Sequence, residues 1–201
     1  MVGHIRRSIV LVVISFVLLG LVYPLLGTAV AQVFFRHQAD GSITADGSTL
    51  IGQYWASPRW FHGRPDDAGP YHATPTKKSE SGFTGDNPLM NNGVPGESGA
   101  SNFGPRERLL VEYTRELVNY WHAMGVQPTA DLVTTSGSGY DPDITPQDAY
   151  VQIPMVARAT GISPSRLHQL IASQVQGRQL GFLGSPYVVV LSLNQALARL
   201  G

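Results

Sequence analysis

Ser8-Ile9-Val10-Leu11-Val12-Val13-Ile14-Ser15-Phe16-Val17-Leu18-Leu19-Gly20-Leu21-Val22-Tyr23-Pro24-Leu25-Leu26-Gly27-Thr28-Ala29-Val30-Ala31-Gln32-Val33-Phe34-Phe35 decides the architecture of this chain. These 28 residues contain no Asp, Glu, Lys, Arg or His, and 18 of them are Leu, Ile, Val or Phe. As a helix the run reaches about 42 Å at ~1.5 Å per residue, and a bilayer core about 30 Å thick needs only roughly 20 apolar residues. At ~0.3–0.6 kcal/mol per such residue, insertion is favoured by up to roughly 5–10 kcal/mol. Pro24 and its neighbours Gly20 and Gly27 would weaken a helix in water, but a membrane helix tolerates them because neighbouring helices re-satisfy the freed carbonyls. Gly20, Pro24 and Gly27 are therefore the candidate packing positions of a transmembrane span.

A cleaved signal peptide is the alternative, with Arg6-Arg7 as its basic head and Ala29-Val30-Ala31 as a cleavage site before Gln32. Signal cores run about 7–15 residues. Here the apolar stretch from Ile9 to Leu26 is longer, and Phe34-Phe35 stay apolar beyond the cut. A retained anchor is the expectation. Arg6 and Arg7 precede the span and Arg36 follows it, which puts the N-terminus in the cytoplasm and residues 36–201 in the periplasm or outside. The chain then divides into a tail at 1–7, a span at 8–35 and an outer body.

Composition closes several function classes. Lys+Arg 14 balance Asp+Glu 14, and only Lys77 and Lys78 are lysines, so no polybasic surface for nucleic acid can form. The absence of Cys excludes disulfide staples, thiolate metal sites and thiol nucleophiles. In the outer body, residues 36–104 hold 11 Gly and 6 Pro, and residues 105–201 hold 8 Gly and 7 Pro over a longer stretch. The first part reads as extended segments and loops, with strands expected at Ser48–Gln53 and around Trp60-Phe61. An aperiodic stretch runs from Thr74 to Gly104.

The second part reads as helix-rich. A helix opens at Pro105 and carries Leu109, Leu110, Tyr113, Leu117, Tyr120, Trp121 and Met124 at 3–4 spacing until Gly125. Thr145-Pro146-Gln147-Asp148 forms a capping box, and its helix must bend or restart at Pro154 before Gly161 closes it. Ser163-Pro164 opens a further helix, with Leu167, Leu170, Ile171 and Val175 inward and its end at Gly177. Tyr187–Leu191 reads as a strand and Asn194–Leu200 as a last helix. The fold class expected is a single N-terminal transmembrane helix followed by a small α+β soluble domain.

No catalytic constellation emerges. No Gly precedes Lys77 or Lys78 as a P-loop requires. Ser136 stands where a G-x-S-x-G elbow around Ser138 needs Gly, so Gly137-Ser138-Gly139 reads as a sharp turn. Asp141 and Asp143 alternate as in a calcium loop, but Pro146 and Gln152 occupy the positions that need Gly and Glu; they read as turn residues. His62 and His72 lack metal-ligand spacing, and Asp66-Asp67 are too close for a glycosidase pair. The segment from Tyr54 to Pro65 packs four aromatics and two Arg into twelve residues. It fits a protein-contact surface built on Trp55, Arg59, Trp60 and Arg64, or equally the core of a domain short of aliphatic residues.

Trp60-Phe61-His62-Gly63-Arg64-Pro65, Ser101-Asn102-Phe103-Gly104-Pro105 and Ala130-Asp131-Leu132-Val133-Thr134-Thr135-Ser136-Gly137-Ser138-Gly139-Tyr140-Asp141-Pro142 resemble the KdpC family. Its members are C subunits of the Kdp high-affinity potassium-transporting P-type ATPase. Further matches are Ile144-Thr145-Pro146, Gln152-Ile153-Pro154, Val156-Ala157-Arg158, Gly177-Arg178-Gln179-Leu180-Gly181-Phe182-Leu183-Gly184 and Leu193-Asn194-Gln195-Ala196-Leu197. They run in family order from anchor to C-terminus. Met155 departs from the pattern, since the family commonly has Arg there.

The resemblance implies a single-pass subunit of a bacterial inner-membrane potassium pump, not an enzyme alone. It assembles with a channel-like subunit that carries potassium, an ATPase subunit and a small single-span subunit. The family is also described as a catalytic chaperone that raises the ATP affinity of the ATPase subunit, so ATP would be met only together with that subunit. Gln176, Gly177, Arg178 and Gln179, which loosely follow an ABC-transporter signature, are the nucleotide candidates; they equally fit a helix end and turn. An outer domain cannot touch cytoplasmic ATP, so the charge-based topology and the chaperone role pull apart. No catalytic or metal residue is expected. The alternative of another class is a secreted or membrane-tethered hydrolase using Ser138 or a carboxylate.

Overall fold

The computed structural model describes residues 2–53, 55, 57–65 and 103–200. Most of the aperiodic stretch from Thr74 to Gly104 lies outside these residues, as do Tyr54, Asp66, Asp67, His72, Lys77 and Lys78. The chain forms two compact units, Met1–Ala45 and Asp46–Gly201.

The first unit is dominated by one helix, Gly3–Phe34, of 32 residues, whose most apolar 18-residue stretch has mean hydropathy 2.9, long and apolar enough to cross a membrane. It is not uniformly wound. An α-helical segment α1 (Val2–Ser15) passes through a π-helical stretch, Phe16–Val22, into α2 (Tyr23–Phe34). Proline explains the widening. Pro24 has no N–H and its ring would collide with the carbonyl four residues back, that of Gly20. The turn ahead of it loosens so that the Tyr23 N–H bonds to the Leu18 carbonyl five residues back. The helix itself thus absorbs part of what neighbouring helices were expected to supply. A short helix α3 (Arg36–Ala39) follows, carrying an exposed Arg36–Asp40 ion pair, and the unit closes with the two-residue strand β1 (Ile43–Thr44).

The second unit begins with β2 (Gly47–Ser48) and continues through α4 (Arg108–Ala123), a 3-10 turn at Asp131–Val133, β3 (Asp143–Ile144), α5 (Pro146–Val151), α6 (Ile153–Thr160), α7 (Pro164–Gln174), β4 (Val188–Val189) and α8 (Val190–Ala198). It is a mixed helical domain with very small sheets. Tyr113, Leu117 and Trp121 form the buried stripe of α4. They meet Leu167 and Ile171 of α7 and Leu193 and Leu197 of α8 in one hydrophobic cluster. Trp121 also donates its indole N–H to the Leu132 carbonyl at 2.9 Å, so a large apolar ring is buried without orphaning its polar atom. Gly125 ends α4 at φ +71°, where the Val126 N–H reaches the Trp121 carbonyl and the Gly125 N–H that of His122, both at 2.9 Å.

The Thr145 capping box forms with Asp148, and the restart before Pro154 falls at Gln152, between α5 and α6. Gly161 closes α6 at φ +75°. Several boundaries differ from expectation. The helix expected from Pro105 starts at Arg108, because Gly104 to Glu107 are spent on a turn. The helix expected to reach Gly177 stops at Gln174, because Gln176 leaves to pair with Tyr187. The expected strand Tyr187–Leu191 shrinks to Val188–Val189, and α8 begins at Val190 rather than Asn194. Its antiparallel partner β3 offers only Asp143 and Ile144 before Thr145 is committed to the cap of α5. The expected strand Ser48–Gln53 is limited to Gly47–Ser48, after which the Leu50 N–H turns back onto the Ser48 hydroxyl.

Candidate functional site

The strand expected around Trp60-Phe61 is absent, yet the backbone of Phe61 and His62 is fully used. The Phe61 N–H donates to Asn194 Oδ1 at 2.9 Å, and the Phe61 carbonyl accepts from Asn194 Nδ2 at 2.8 Å. The His62 N–H donates to Gln152 Oε1 at 2.8 Å, and its carbonyl accepts from Gln152 Nε2 at 3.0 Å. A primary amide carries both a donor and an acceptor, so each side chain stands in for one residue of a neighbouring strand. Asn194 comes from α8 and Gln152 from the α5–α6 junction, and both are buried. Gln152 Nε2 reaches the Asp148 carbonyl as well, at 3.1 Å. Burying amides is costly unless they are bonded, and here the bonds are made.

Phe61 is wholly buried, and His62 is buried beside it with its ring edge-on to Trp121 at 5.6 Å. His62 Nε2 lies 3.2 Å from the Ser57 carbonyl, which can only accept, so the ring proton sits on Nε2. Burial pushes the imidazole pKa down to about 4, against the smaller opposing effect of the Ser57 bond. His62 is therefore neutral at physiological pH.

Arg64 continues the segment and ties it to the Thr134–Pro142 loop. Its guanidinium donates to the Thr134 carbonyl at 3.3 Å and to the Thr135 carbonyl at 3.0 Å. The carboxylates of Asp141 and Asp131 stand 3.6 and 3.8 Å away. The loop it grips is bonded within itself. Gly139 adopts φ +72° and its N–H donates to Ser136 Oγ at 3.0 Å, while the Tyr140 N–H donates to Ser138 Oγ at 3.2 Å. The Asp143 N–H caps onto Asp141 Oδ1 at 3.1 Å, as befits turn residues. Burial, aided by the charge of Asp141, raises the Asp143 carboxyl pKa to about 6. On the other side, the Gly52 N–H donates to the Tyr140 carbonyl at 2.7 Å. Three stretches distant in sequence thus meet at one loop.

The candidate contact residues separate. Trp55 and Trp60 pack with centroids 5.5 Å apart, and the Arg59 guanidinium lies 5.0 Å over the Trp60 ring. Arg59 is exposed and both indoles are half-buried, so these three share one patch at the surface. Arg64 is turned inward, its side chain 20% exposed. Gly20, Pro24 and Gly27 lie on the apolar helix. Gln176, Gly177, Arg178 and Gln179 are exposed along the first arm of a hairpin, where main-chain bonds engage Gln176 with Tyr187 and Gln179 with Leu183. Ser138 is exposed and its Oγ stands 3.1 Å from Ser136 Oγ; the ring of His62 is engaged elsewhere, with Ser57. The structure does not bring these two into a nucleophile–base pair. Met155 is buried in the core at 2% exposure, a place where a charge would be expensive.

Sequence reasoning missed Gln152 and Asn194 as organising residues. A signal was available: Asn194 falls on the same helical face as Val190 and Leu197, and an amide on an apolar stripe calls for a buried partner.

The family KdpC, described as the c chain of K+-transporting ATPases, matches residues 5–199. A potassium-transporting ATPase KdpC subunit of Koribacter versatilis is 41% identical over 194 residues, covering 93% of this chain and 90% of the relative. One from Methylobacterium nodulans is 41% identical over 207 residues, covering 100% and 98%. KdpC subunit 1 of a Nostoc species is 42% identical over 203 residues, covering 98% and 94%. Nothing in these likenesses supports a hydrolase. With a family match across almost its whole length, one long apolar helix and the motif loops locked together, the chain belongs to the KdpC family, the c chain of the potassium-transporting ATPase complex.

Proposed function

We propose that this chain is a non-catalytic assembly subunit that holds the channel-like and ATPase subunits of the pump together, with the small single-span subunit beside it. The observation that carries this reading is the internal closure of the motif segments. The main-chain groups of Phe61 and His62 and the guanidinium of Arg64 are spent on Asn194, Gln152 and the Thr134–Asp141 loop, which builds a rigid body rather than an open reaction centre. Attachment then falls to the apolar helix through Gly20, Pro24 and Gly27, and to the Trp55–Arg59–Trp60 patch. Tyr, Trp and Arg are the side chains that most often anchor protein interfaces.

Arg6 and Arg7 before the span favour a cytoplasmic N-terminus and an outer domain at the bacterial inner membrane. Potassium is then carried by the channel-like subunit. A rise in ATP affinity of the ATPase subunit is transmitted through packing of the span, with no nucleotide held by Gln176, Gly177, Arg178 or Gln179. Single cysteines at Glu116 and Ser173, both exposed, test the topology in this Cys-free chain. A membrane-impermeant thiol reagent is expected to label both in intact cells. Labelling of both only after lysis would place the domain in the cytoplasm and return nucleotide contact to consideration.

A further inference from the structure

Residues 176–187 leave the body of the second unit as a hairpin. Paired main-chain bonds close its base between Gln176 and Tyr187, at 2.8 and 3.1 Å, and its tip between Gln179 and Leu183, at 3.0 and 2.9 Å. Leu180 and Gly181 both adopt positive φ, +52° and +81°. That conformation is ordinary for Gly and uncommon for Leu. The turn exposes its largest apolar side chains: Leu180 is 83%, Phe182 69% and Leu183 47% exposed. From Gln176 to Tyr187 there is no acidic residue, and Arg178 is the one charge.

We infer that this hairpin tip inserts Leu180 and Phe182 into the headgroup–acyl boundary of the bilayer that carries the anchor. The inference rests on the apolar helix being a retained span. Four observations favour lipid as the occupant. The anchor and the domain belong to one chain, and only eleven residues, at most about 40 Å of extended chain, separate Phe35 from Asp46. Tethering makes a weak surface contact effectively intramolecular. Three side chains at a turn fall well below the roughly 800 Å² per partner of a stable protein interface. A short apolar tip with one cation and no acid suits an anionic lipid surface.

Cysteines at Phe182, at Leu19 in the span and at exposed Ser173, one per variant, are labelled with an environment-sensitive fluorophore. The full chain is reconstituted in vesicles of phosphatidylcholine with a minority of phosphatidylglycerol, with and without brominated acyl chains. Bromine is expected to quench the Leu19 and Phe182 labels by about twofold or more and to leave Ser173 nearly unchanged, as bilayer-depth contact requires. Quenching at Leu19 without quenching at Phe182 overturns the inference and spares the anchor. Absence at both overturns the anchor and the inference with it. A Phe182 label untouched by bromine but shielded from aqueous iodide on assembly with the pump subunits identifies a protein partner, and also overturns it.

Discussion

Asn194 on α8 pairs with both main-chain polar groups of Phe61, 133 residues away in sequence, at 2.9 and 2.8 Å. One side chain thereby ties the aromatic segment to the last helix. Replacing Asn194 by Leu keeps the volume but leaves the Phe61 N–H and carbonyl buried without partners, at about 1–3 kcal/mol each. Urea unfolding should show a loss of about 2–5 kcal/mol, with the subunit failing to accumulate at elevated temperature. A change under about 0.5 kcal/mol would mean that Phe61 is held by packing alone.

His62 sets an acid limit on stability. Its folded pKa of about 4 lies below the ordinary 6.5, so on acidification the unfolded chain takes up the proton first. The stabilisation is complete above pH ~6.5 and is lost as pH falls toward ~4, amounting to about 2 kcal/mol by pH 5. His62→Gln should be less stable than the parent at neutral pH and should show a flatter profile between those limits. Asp143 runs the other way. With its pKa raised to about 6, its contribution is present below pH ~4 and lost as pH rises through ~6. Asp143→Asn should therefore gain about 1 kcal/mol at pH 8, after allowance for its partial exposure, and nothing at pH 3.5. Thermal melts across this range check both signs.

The Ser138 loop separates chemistry from architecture. Ser138→Ala removes an exposed hydroxyl with its bonds to the Tyr140 N–H and to Ser136 Oγ but leaves the backbone of the loop intact, so potassium-limited growth and complex yield should barely change. Gly139→Val puts a β-branched side chain at φ +72° in a buried position, at a cost of about 1–3 kcal/mol or more. Growth and subunit recovery should fall together. Loss of transport by Ser138→Ala in a normally assembled complex would reinstate a reactive role for that hydroxyl.

What sequence could reveal followed from how local the cause was. The apolar run, the Thr145 box, the Gly125 and Gly161 stops and the sharp turn at Gly137-Ser138-Gly139 each depend on a few adjacent residues, and each is found. Strand lengths failed because they depend on a distant partner: β4 is as short as the two residues β3 can offer. The Trp60-Phe61 segment looked like a strand for the same reason. Its backbone does need partners, and the structure supplies them from side chains. Of the two readings left open for these aromatics, surface or core, Trp60 is half-buried and its neighbour Phe61 wholly buried. Arg64 was visible as one of two Arg among aromatics, but its carbonyl and carboxylate partners lie some seventy residues away.

The assembly role is tested most directly at Gly27. In the chain alone, a Cβ added at Gly27 meets nothing within 4 Å, so a larger side chain there has no internal clash to answer for. Close packing of a partner helix against a small residue is what such a side chain would block. Gly27→Leu should insert into the membrane at the parental level and yet be recovered with the channel-like and ATPase subunits at least about tenfold less, a loss of ~1.4 kcal/mol or more in association. Normal insertion with undiminished co-purification would contradict an assembly subunit held through this face of its span.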